Sequence, residues 1–120
     1  MLKLVLLSSF VGVVAGVVAA ICGVGGGIVM VPAFVMLLGL EQKQAVATSL
    51  TAIILISLLA TIKNNANSFV NWPVAISCAL AGGVVAWFAA DLLKVLSNQT
   101  LTRIFAVLMI AFGVRMLFQR

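Results

Sequence analysis

The chain of 120 residues contains no histidine, and its only acidic residues are Glu41 and Asp91. Without imidazole and with so few carboxylates, no nucleophile, base and oxyanion arrangement can be assembled, so the chain is not expected to be an enzyme. A buried proton relay of Asp, Glu and His is missing for the same reason, which disfavours proton-coupled export of cations. The two cysteines, Cys22 and Cys78, form no CxxC pair. They read as small apolar packing groups, and neither a metal nor another cofactor is expected. Charge is scarce too, at 8% of residues.

What is present is apolar surface. Hydrophobic residues make up 65% of the chain, with a mean hydropathy of +1.36. A soluble domain is about half apolar and a quarter charged, and a small one leaves much of its area wet. This composition therefore specifies an integral membrane protein. The formal charge of +5 comes from seven basic residues: Lys3, Lys43, Lys63, Lys94, Arg103, Arg115 and Arg120. They are scattered one or two at a time along the chain, at the gaps and ends of the apolar segments, which fits loop and helix-end anchors better than a patch for nucleic acid. The first 22 residues imitate a secretory signal, but Ile21 stands where a small residue should precede Cys22. The remainder is as apolar as the start, so no cleavage is expected.

Five apolar segments follow one another: Leu4 to Cys22, Ile28 to Leu40, Gln44 to Ile62, Trp72 to Leu93 and Leu101 to Phe118. Open strands cannot satisfy their backbone in lipid, so all five are expected to be helical. The fold class is thus an all-α integral membrane protein with four to five transmembrane segments, forming a single domain over residues 1–120. The second segment, at about 20 Å, is short for a hydrocarbon core of about 30 Å, and either spans or re-enters. Small residues spaced by four, Gly12 with Gly16 and Gly82 with Ala86, are expected to let helices pack closely.

Across the junction of the first two segments runs "CGVGGGIVMVP", residues 22–32. Glycine and proline cost a helix roughly 1 and 3 kcal/mol relative to alanine, so Gly23, Gly25, Gly26, Gly27 and Pro32 are expected to break it. A new helix beginning near Ile28 would direct its unpaired N–H groups at the glycines, and such a helix start attracts anions. Discontinuous helices serve transporters in this way. The Rossmann and Walker glycine motifs both fail here, the first because Ile28 replaces its last glycine and the second for want of a Lys and hydroxyl. A plain hinge between helices is the competing explanation. A second polar knot, "ATSLT", supplies Thr48, Ser49 and Thr51, whose hydroxyls could donate to an anion or bond back to their own helix.

The stretch "GVVAAICGVGGGIVMVPAFVMLLGL", followed by "QAVATSLTAIILISLLATIKN", resembles the TauE/SafE family of membrane permeases. "NSFVNWPVAISCALAGGVVAWFAADLL" and "LTRIFAVLMIAFGVRMLF" extend the resemblance over essentially the whole chain. It implies a multi-pass protein of the bacterial inner membrane that exports small anions such as sulfite or organosulfonates. Members commonly carry two such repeats in one chain, and this chain holds one, as a half-size member would. The resemblance places the functional positions at Gly23, Gly25, Gly26, Gly27, Pro32, Thr48 and Ser49.

A single repeat leaves its glycine break without walls, so a homodimer is expected. If all five segments cross, basic residues divide four against three between the two faces, too evenly to orient the chain. That balance suits an antiparallel pair, with a parallel twofold dimer as the rival. The competing function is a non-transporting scaffold subunit of a larger permease.

Overall fold

The computed structural model describes residues 1–119, so Arg120 lies outside the described residues. The chain forms α1 (Leu2–Cys22), α2 (Gly27–Leu38), α3 (Gln42–Ala66), α4 (Trp72–Ala89), a single turn α5 (Leu92–Val95) and α6 (Asn98–Phe118). Three of these, together with the stretch Trp72–Val95 that joins α4 to α5, are long and apolar enough to cross a membrane. The fifth apolar helix, α2, has 12 residues and is too short to cross alone. The protein is an all-α multi-pass membrane protein, as its composition requires.

Helix ends run past the apolar segments because hydrogen bonding continues where hydropathy stops. Ser97 caps α6 by accepting from Thr100 N–H at 3.2 Å, which brings the polar Asn98-Gln99-Thr100 turn into the helix. Asn71 caps α4 through Val74 N–H at 3.4 Å, with Pro73 in the first turn, where its missing N–H costs nothing. Between α3 and α4, Trp72 Nε1 donates to Asn65 Oδ1 at 2.9 Å and closes the connection.

The core is a three-helix packing of α1, α2 and α3. Val11 and Ala15 of α1, Met30, Val31 and Phe34 of α2 and Ala45 of α3 are buried together. α2 runs antiparallel to α1. Gly26 lies against Ala15, and farther on Leu37 and Leu38 share a hollow with Lys3, Leu4 and Leu7. The end of α2 therefore comes back to the side on which α1 began, and α3 starts there. At 1.5 Å per residue α2 rises roughly 18 Å, about half the roughly 37 Å length of α3. The glycine break consequently sits near mid-height of α3, level with Ile53, whose side chain comes within 3.4 Å of a Cβ built on Gly25.

Two expectations fail here. Pro32 does not break a helix: it is the sixth residue of α2, which continues to Leu38. Its ring removes one N–H and leaves the Ile28 carbonyl without its usual partner, and the helix absorbs that loss within the core. Gly12, Gly16 and Gly82 do not let helices of this chain approach, since a Cβ on any of them meets nothing within 4 Å. Ala15 and Ala19 give α1 its close-packed stripe instead, while the glycine faces look outward. No described residue of α4, α5 or α6 is buried.

Candidate functional site

The break expected between Gly23 and Gly27 is present and is made by backbone only glycine adopts easily. Gly23, Gly25 and Gly26 have φ of 68°, 70° and 75°. Gly23 ends α1 in the left-handed conformation, its N–H donating to Ala19 O at 2.9 Å. Gly26 caps α2, its carbonyl accepting from Val29 and Met30 N–H at 3.0 and 2.9 Å. Between these bonds, no N–H from Val24 to Ile28 makes a well-formed bond to a carbonyl among the described residues. Successive N–H groups without well-formed acceptors in a left-handed turn form a concavity suited to anions, and the start of α2 adds the positive end of its dipole.

Beside this turn is a hollow of about 150 Å³, lined by Ala19, Gly23 and Gly25 on one side and by Ser57, Ala60, Thr61 and Asn64 of α3 on the other. Its wall is close to half polar, whereas that of the hollow between Val24, Ile28 and Phe105 is almost wholly apolar. Ser57, Thr61 and Asn64 recur at spacings of four and three, which puts them on one helical face. That spacing is written in the sequence as "SLLATIKN" and was the signal available for finding them. The three polar groups lead from the interfacial end of α3 down to the glycine turn at mid-height.

The second polar knot lies elsewhere. Thr48 and Thr51 line a wide, open hollow with Ala47 and Ala52. They precede Ile53 by five and two residues, roughly 140° and 160° round the helix from the side that meets the glycines. Thr51 Oγ1 donates back to Ala47 O at 3.0 Å. Ser49 does face the core, but it is buried and its hydroxyl donates to Val46 O at 2.8 Å. The structure thus joins Gly23 and Gly25 to Ser57, Thr61 and Asn64, with Gly26, Gly27 and Ile28 in the adjoining turn. It does not bring Thr48, Ser49 or Thr51 to that hollow. Gly26 is occupied in packing: a Cβ there would stand 2.9 Å from Ala15 O.

Comparison with known proteins gives the family. The family model described as "Sulfite exporter TauE/SafE" matches residues 5–120. The chain belongs to the TauE/SafE family. Among its curated relatives is the "Probable membrane transporter protein YunE" of Bacillus subtilis (strain 168), 32% identical over 110 residues, covering 88% of this chain and 39% of that protein. A "Probable membrane transporter protein" of Xylella fastidiosa (strain Temecula1 / ATCC 700964) is 27% identical over 116 residues, covering 94% of this chain and 44% of that protein. This TauE/SafE chain therefore spans less than half the length of these relatives. No solved structure matches it.

Proposed function

We propose that the chain is one repeat of a TauE/SafE transporter that exports small anions, such as sulfite or an organosulfonate, and that the pathway is completed by at least two copies. The observation that carries this reading is the run of N–H groups from Val24 to Ile28 without well-formed acceptors, next to a half-polar hollow. Backbone polar groups at membrane depth persist where they line a cavity. Neutral donors can hold an anion without a buried counter-charge, so the scarcity of ionisable groups is no obstacle. Gly25, with Gly27 and Ile28 at the start of α2, supplies N–H groups, Gly23 leaves the hollow open for want of a side chain, and Thr61 and Asn64 supply side-chain donors. The names of the curated relatives support transport, and the family description supports sulfite as the first anion to try.

A scaffold subunit is the second reading, favoured by the unburied faces of α4 and α6. Purified protein reconstituted in liposomes separates the two. We expect it to move sulfite by itself, and Thr61→Val and Asn64→Leu to weaken apparent affinity by roughly 10- to 150-fold each, the usual worth of a hydrogen bond to a charged group. Thr48→Val should behave as wild type. Sulfite flux no greater than in empty liposomes, at normal folded yield, would favour the scaffold. Equal flux in all three variants would leave the glycine turn a hinge.

A further inference from the structure

On the other side of the glycine turn lies a second hollow, of about 350 Å³, between Val24 and Ile28 and the outer half of α6. Phe105, Leu108, Phe112 and Met116 form its far wall, and the lining is almost wholly apolar. α6 is held at its beginning, where Asn98 Oδ1 accepts from Lys43 N–H at 3.3 Å and Nδ2 donates to Glu41 Oε2 at 3.2 Å. Past Phe105, which packs on the core, the gap opens.

We infer that this hollow is a binding site for one acyl chain of an anionic phospholipid from the surrounding bilayer. Three features select that occupant. Phe105 to Met116 covers 12 residues, a rise of about 16 Å, which matches one leaflet of a hydrocarbon core about 30 Å thick. A hydrocarbon chain roughly 5 Å across at van der Waals contact fills roughly 300 Å³ over that length. A second helix, at about 10 Å across, occupies upwards of roughly 1,200 Å³ over that length, so it would rest on the mouth of the hollow rather than fill it. Water is excluded because such a wall offers it no hydrogen bonds. The third feature is charge. Arg115 is one residue before Met116, the last lining residue along α6, Lys63 lies near the end of α3 on the same side of the bundle, and both acids of the chain lie at the opposite end. A phosphate group there meets cations only. The bound chain would form the outer support of the glycine turn through Val24 and Ile28.

Native mass spectrometry of the purified protein, mixed with phosphatidylglycerol or phosphatidylcholine, tests this. We expect phosphatidylglycerol to be retained about fivefold more strongly, and Arg115→Gln to abolish the preference. Met109→Trp, which fills the hollow, should abolish retention of both lipids. Should that variant fold poorly, wild-type protein in phosphatidylglycerol vesicles doped with a diazirine-tailed analogue gives an independent reading. Photolabel concentrated on Val24, Met109 and Phe112 supports the site. Label spread evenly over the exposed faces of α4 and α6, or identical retention by wild type and both variants, overturns it.

Discussion

At the scale of single residues, the four glycines of the break carry different burdens. Gly26 has φ of 75° and sits so close to α1 that a Cβ would stand 2.9 Å from Ala15 O and 3.2 Å from Ala15 Cβ. Backbone cannot move aside as the tip of a flexible side chain can. Gly23 has a similar φ of 68° but open space around it. Gly23→Ala should therefore cost only backbone strain, about 1–2 kcal/mol, while Gly26→Ala adds a clash at the α1–α2 contact. Thermal unfolding in detergent should show a modest drop for the first and a severe loss of folded yield for the second. Equal stability of the two would mean that α1 can shift away from the turn. The cluster itself was legible in the sequence, because four glycines within five residues have no use inside a helix. Its division into a packing glycine and cavity-lining glycines was not, since that depends on Ala15, eleven residues upstream.

At the scale of elements, α6 shows how an apolar helix is placed by a few polar contacts. It buries no described residue, yet Asn98 in its first turn bonds both to the start of α3 and to Glu41. The Lys43 N–H is one of the donors that a helix start leaves unpaired, so the Asn98 carboxamide caps α3 from a distance. Asn98→Ala should free that N–H at a cost of about 1 kcal/mol and speed its hydrogen exchange about fivefold, with little change in the middle of α3. Unchanged exchange at Lys43 would show that water replaces the carboxamide without loss. Hydropathy alone began the last segment at Leu101 and could not see this contact. The residues that make it are polar, outside the apolar run and 55 positions apart.

At the scale of the molecule, the small-residue faces point away from the core. Gly12 and Gly16 on α1, with Gly82 and Gly83 on α4, have no neighbour within 4 Å of a built Cβ. In a bilayer, association of helices relies on such close-packing surfaces because lipid supplies no hydrophobic drive. Gly12→Leu and Gly82→Leu should leave the unfolding of the single chain unchanged while lowering the fraction of the proposed dimer in native mass spectrometry. Dimers that persist in both variants would place the interface elsewhere.

The sequence by itself determined that this is a helical membrane protein with one short, glycine-broken segment. Apolar length, composition and the conformational cost of glycine are local properties, and they hold whatever the neighbours are. Only the tertiary structure decided which hydroxyls meet the break. The "ATSLT" knot is nearer to the glycines along the chain, yet α2 returns so far down the bundle that its start is level with Ile53. From there the helical rotation of α3 turns Ser57, Thr61 and Asn64 toward the break and Thr48 and Thr51 away from it. Height is set by the length of α2 and azimuth by 100° per residue, so a shift of a few residues exchanges one polar set for the other.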